Sequence, residues 1–134
     1  MDISQTYSLT VLALGAMTLL MLVQLLVSDV IGIRAKHLPG SPVVADHANL
    51  LFRATRTVAN TNESIAVFIV AVLFCMMSGA SPQATGYAAW AFVACRFIYA
   101  LFYYANLKTL RSVIFAGAII SLVALLASGF LAWA

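Results

Sequence analysis

Four long apolar runs occupy most of the 134 residues, and they decide what this chain can fold into. A helix needs roughly 20 apolar residues to cross the hydrocarbon of a bilayer. There, every backbone polar group must be satisfied within its own segment, so such runs fold as helices. Composition agrees: 64% of the residues are hydrophobic and 8% charged. That leaves too few polar side chains to cover a water-soluble globule, and far too much apolar content for a disordered chain. The reading is an all-α integral membrane protein, a single domain over 1–134. Its helices are predicted at about 7–34, 46–77, 82–104 and 110–133.

Punctuation between the runs supports those bounds. Leu38-Pro39-Gly40-Ser41-Pro42 breaks the first helix. Asp46 is the predicted N-cap of the second helix, and Ser81 with Pro82 opens the third. Asn106 to Thr109 reads as a tight turn. Cys75 and Cys95 are far apart and form no CxxC, which excludes a disulfide scaffold, a thiol-exchange motif and a quinone-linked thiol oxidase. They read as small packing residues, and Gly15, Gly117 and Gly129 as points of close helix approach. The first residues, MDISQTYS, lack the cationic start of a secretory signal peptide.

The net charge of +3 reads as topology and not as nucleic-acid binding. Of the seven Lys and Arg, six lie in or beside the first and third connections: Arg34, Lys36, Arg53, Arg56, Lys108 and Arg111. The positive-inside rule therefore predicts those connections in the cytoplasm and both termini outside. His37 and His47 have no Cys or carboxylate at ligand spacing, so no metal is expected.

Ionisable groups at membrane depth are costly and usually face a bundle interior or a wet cavity. Arg53, Arg56, Asn60 and Glu63 fall within an arc of about 80° on the second helix. On the third, Arg96, Tyr99 and Tyr103 share one face. Arg96 and Glu63 lie at similar depths and are expected to pair. The remaining cations, Arg34, Arg53, Arg56 and Arg111, are expected to converge with the two tyrosines at the cytoplasmic mouth. Such a set suits a small ligand bearing carboxylates, beneath apolar walls that suit a lipophilic second substrate. Contact between the same arginines and anionic lipid phosphates is the other reading. A small multidrug transporter fits poorly, because the first helix has only Asp29, near its end.

Two segments then carry a resemblance. Arg53-Ala54-Thr55-Arg56-Thr57-Val58-Ala59-Asn60-Thr61-Asn62-Glu63 resembles the signature R-x-x-R-x-x-x-N-x-x-E of the MAPEG family, the membrane-associated proteins in eicosanoid and glutathione metabolism. Arg96-Phe97-Ile98-Tyr99-Ala100-Leu101-Phe102-Tyr103, with Arg111-Ser112 downstream, is similar to the family's R-x-x-Y-x-x-x-Y and R-S. Length and helix number agree with short bacterial members, which implies a bacterial inner membrane.

The resemblance implies a homotrimer of four-helix protomers, with glutathione as co-substrate bound between subunits near the cytoplasmic face. It implies that Arg56, Asn60, Glu63, Tyr99 and Tyr103 contact glutathione, and Arg53 and Arg96, on the same two motif faces, are expected to join them in binding it. Arg111 would stabilise the thiolate and Arg34 would face the second substrate. The activity implied is that of a glutathione transferase or glutathione-dependent peroxidase acting on a lipophilic electrophile. Two positions depart from the eicosanoid enzymes: Ser64 stands where they have tyrosine, and Val58 where they have a polar residue. Those losses leave room for a non-catalytic membrane scaffold or accessory subunit that binds lipid or a partner protein.

Overall fold

A computed structural model describes residues 2–134, which form helices and no strand. A single turn, α1 (Ile3–Thr6), precedes α2 (Ser8–Arg34), α3 (Leu50–Ser78), α4 (Pro82–Tyr104) and α5 (Lys108–Trp133). The last four are each long and apolar enough to cross a membrane. Their outward faces expose large apolar side chains such as Leu19, Val70, Ile120 and Leu131, as a bundle bathed in lipid requires. The chain is a four-helix, multi-pass membrane bundle.

The predicted third helix has the bounds found, with Ser81 accepting the Ala84 N–H and Pro82 opening the helix. The second helix starts later than predicted. Its N-cap is Asn49, whose side chain accepts the Leu51 N–H at 2.9 Å. Asp46 instead closes a turn of its own by accepting the Ala48 N–H at 2.8 Å. Both residues can cap; Asn49 wins because it stands directly before the first apolar turn.

Three helices end on a residue in the left-handed region: Lys36 (φ 53°), Gly79 (φ 74°) and Asn106 (φ 59°). At each, a following N–H turns back onto the helix: His37 to Gly32, Ala80 to Cys75 and Leu107 to Phe102. This satisfies carbonyls that would otherwise be orphaned at the helix end. The stop at Asn106 matters most for the site, since it seats the first turn of α5 directly beside the last turn of α4.

α3 and α4 form the inner pair; each packs on the other and on both α2 and α5, which lie on opposite flanks. Phe68 of α3 stacks on Phe92 of α4, centroids 4.4 Å apart, at the centre of the core. Cys75 lies wholly inside this core and its thiol donates to the Leu125 carbonyl, a packing role as the sequence suggested. The close approaches only partly match the expected glycines. A Cβ at Gly129 would lie 2.5 Å from the Phe74 ring, and one at Gly117 3.1 Å from Cys95 Sγ. Gly15 has nothing within 4 Å, whereas at Gly86 a Cβ would meet Leu9 at 2.7–2.9 Å.

Candidate functional site

Arg96 is the largest fully buried side chain of the bundle. It stands eight residues before the end of α4, roughly 12 Å into the helix. Its Nη2 donates to Asn60 Oδ1 at 2.6 Å and to Thr61 Oγ1 at 3.3 Å, both on α3. Its plane covers the Tyr99 ring at 4.7 Å. The ion pair of this region is a different one from that expected. Glu63 lies 3.8 Å from Arg56, one helix face away from the interior, and both side chains are substantially exposed. Helix geometry explains the difference. Asn60 and Thr61 flank the α3 face turned to α4, whereas Glu63, three residues beyond Asn60, has rotated outward.

Beside this buried cation is a hollow of about 270 Å³ on the flank formed by α3, α4 and α5. Asn60, Tyr99, Arg111, Ser112 and Phe115 line it. Arg111 projects from the first turn of α5, and its guanidinium sits 4.3 Å over the ring of Tyr103. Arg111 Nη1 is buried without a hydrogen-bond partner. Tyr99 and Tyr103 are both almost fully buried, with their rings 5.5 Å apart. The residues lining this hollow include one guanidinium, one amide and one phenol and no carboxylate. Chemically that is a receptor for an anion or thiolate.

The other arginines do not converge here. Arg53 is engaged by backbone: its Nε donates to Tyr104 O, and its Nη1 to His47 O and Ala48 O, at 2.5–3.2 Å. It ties the chain entering α3 to the end of α4. Arg56 pairs with Glu63 on the outer face of α3. Arg34 is exposed at the end of α2, on the flank opposite α5. A larger hollow of about 520 Å³ lies near it, beneath the 35–49 connection, but its lining has Asp29 and His37 and no arginine. An anion would meet a carboxylate there, so the smaller hollow is the better candidate.

Sequence reading passed over three participants. Thr61 sits inside the signature as an unremarked position and proves to be an Arg96 acceptor. His47 lies face to face with Tyr103, Nε2 3.4 Å from its hydroxyl, joining the 35–49 connection to the site. Gln24 is buried on α2 with its Nε2 unpartnered. Its signal was available, as the lone amide within an apolar run. Ser64 bonds carbonyls of its own helix, Asn60 O and Thr61 O. Among the described residues no three His, Cys, Asp or Glu cluster as a metal site would require.

Comparison with known proteins gives one match: the model of the MAPEG family covers residues 8–131. No curated protein and no solved structure matches the chain.

Proposed function

The chain belongs to the MAPEG family, and from that premise we propose that it is a membrane glutathione transferase or glutathione-dependent peroxidase acting on a lipophilic electrophile. The observation that carries this reading is Arg111, a cation on the wall of a hollow shared with Asn60 and Tyr99 and lined by no carboxylate. A free thiol has a pKa of about 8.5 and reacts as the thiolate. A guanidinium keeps its charge at any working pH, so it lowers that pKa electrostatically and carries no proton itself. The Tyr99 hydroxyl on the same wall supplies a further donor. Apolar helix faces leave an approach for the electrophile from the bilayer.

The assembly we propose is a homotrimer in the bacterial inner membrane, with termini outside and the 35–49 and 105–107 connections in the cytoplasm. Opposite placement of Arg34 and Arg111 within one protomer supports it. Both sit at the same end of the bundle, so a neighbouring copy can bring its Arg34 to the hollow. The second reading, a non-catalytic accessory subunit, is favoured by Ser64, whose hydroxyl is spent on its own helix. Thermal melting of the detergent-solubilised protein with glutathione and with S-hexylglutathione separates the two. A ligand that binds only the folded state raises the melting temperature by mass action. A rise, with conjugation of a chloronitrobenzene to glutathione, supports the enzyme; no rise with either ligand favours the accessory subunit.

A further inference from the structure

Asn60 has one foot in each compartment of the site. It lines the hollow, and its Oδ1 accepts from Arg96 Nη2 at 2.6 Å. Arg96 is wholly buried, and a guanidinium has donors only. An Asn amide could in principle point either end at its neighbour. Beside this guanidinium only the oxygen end is tolerable, because a buried amide N–H2 facing a cation would leave both sets of donors without acceptors. The amide N–H2 is consequently turned away from Arg96.

We propose that Arg96 is a positioning residue: by holding the Asn60 oxygen inside the bundle it presents the Asn60 N–H2 to the hollow, which then selects a ligand rich in acceptors, a carboxylate or thiolate. The Asn60 N–H2 then stands with the Arg111 guanidinium and the Tyr99 hydroxyl around one hollow, while the Ser112 hydroxyl is engaged with the Lys108 carbonyl of its own helix. Register brings a third helix to the same depth. Gly32 abuts Leu51 across α2 and α3, and Leu19, Leu20 and Val23 of α2 share a groove with Val93, Ala94 and Phe97 of α4. Counting along those antiparallel and parallel pairs brings buried Gln24 to the layer of Asn60 and Arg96. The selectivity part of this inference rests on the hollow being the ligand site; the amide orientation does not.

Three variants of the full-length protein in detergent test it. Asn60→Asp keeps an acceptor for Arg96 and removes the donor from the hollow. It should melt at or above the wild-type temperature while its affinity for S-hexylglutathione falls about tenfold or more. Asn60→Leu leaves Arg96 without its main acceptor and should melt below Asn60→Asp. Arg96→Met frees the amide to turn, and should raise KM for glutathione severalfold with kcat at saturation little changed. Asn60→Asp binding S-hexylglutathione as tightly as wild type would overturn the selectivity. Asn60→Asp melting below Asn60→Leu would overturn the orientation. That melting contrast needs no ligand, so it decides the orientation even where wild type binds no glutathione analogue, an outcome that removes the enzymatic reading and the selectivity with it.

Discussion

The guanidinium of Arg111 rests 4.3 Å over the ring of Tyr103, across the tight turn that joins α4 to α5. This contact fixes a long, otherwise mobile side chain on the wall of the hollow. A cation over an aromatic face is held without consuming its in-plane N–H groups, so the donors stay free for a ligand.

Arg111→Ala removes that charge and should lower glutathione conjugation by about 10²–10³-fold, the usual effect of losing one preorganised electrostatic group. The side chain is only part-buried and lies outside the core, so the melting temperature should hold. Steady-state kinetics alongside thermal melting check both halves, and wild-type turnover in this variant would remove Arg111 from the mechanism.

Arg111→Lys keeps the charge but loses the planar group that stacks on Tyr103 and presents paired donors. If the cation acts by favouring the thiolate, bound glutathione ionises below the usual pKa of about 8.5 in the wild type. The conjugation rate then rises with pH through that lowered value and levels off. In Arg111→Ala the rise should move upward toward the free-thiol value, and in Arg111→Lys it should fall between. Ultraviolet absorbance of bound thiolate across a pH series reads the shift directly. Identical profiles in all three proteins would show that the thiol ionises without help from this position.

Much of this site was legible beforehand, and the part that was not has a common cause. Asn60, Tyr99 and Arg111 were singled out by spacing and family signature, and they do line one hollow. Helical periodicity places residues on a face, but it cannot say which neighbour a long side chain chooses. Arg96 took the neutral oxygens of Asn60 and Thr61 and left Glu63 to Arg56. Arg53 shares the stripe yet spends its donors on carbonyls at a loop, because the chain doubles back over it at 47–48. The α3 start slipped from Asp46 to Asn49 because both residue types cap, and only the tertiary path of the connection selects one.

Arg53 therefore belongs to the scaffold more than to the hollow. Arg53→Ala loses three charge-assisted bonds to Tyr104, His47 and Ala48 carbonyls. The cost should be about 2 kcal/mol, read as a lowered melting temperature. KM for glutathione should change far less than in Asn60→Asp. A large rise in KM at unchanged melting temperature would instead place Arg53 on the ligand.

The glycines order themselves by what surrounds them. Gly15→Ala meets no atom within 4 Å and should be neutral or slightly stabilising, since alanine is the better helix former. Gly86→Ala drives a methyl to within 2.9 Å of Leu9 Cβ, an atom fixed to its backbone, so α2 and α4 must separate. Overpacking of that kind costs about 1–3 kcal/mol. Gly129→Ala meets the Phe74 ring, which can turn, and should fall between the two. Melting temperatures of the three variants test the order.

A final prediction concerns the assembly. Arg34 and Arg111 lie on opposite flanks of one protomer, so no single chain can bring both to one hollow. In the proposed trimer each site takes Arg111 from one subunit and Arg34 from the next. Arg34→Ala and Arg111→Ala would each disable every site of a uniform trimer. Around a closed ring any mixture of the two variants contains a single junction where an intact Arg111 faces an intact Arg34. Each mixed trimer thus regains about one site in three, so trimers selected to contain both variants should show roughly a third of wild-type activity. Co-expression with two different affinity tags, followed by sequential purification and a conjugation assay, measures it. Activity no higher than that of either variant alone would show that Arg34 and Arg111 do not serve a shared site.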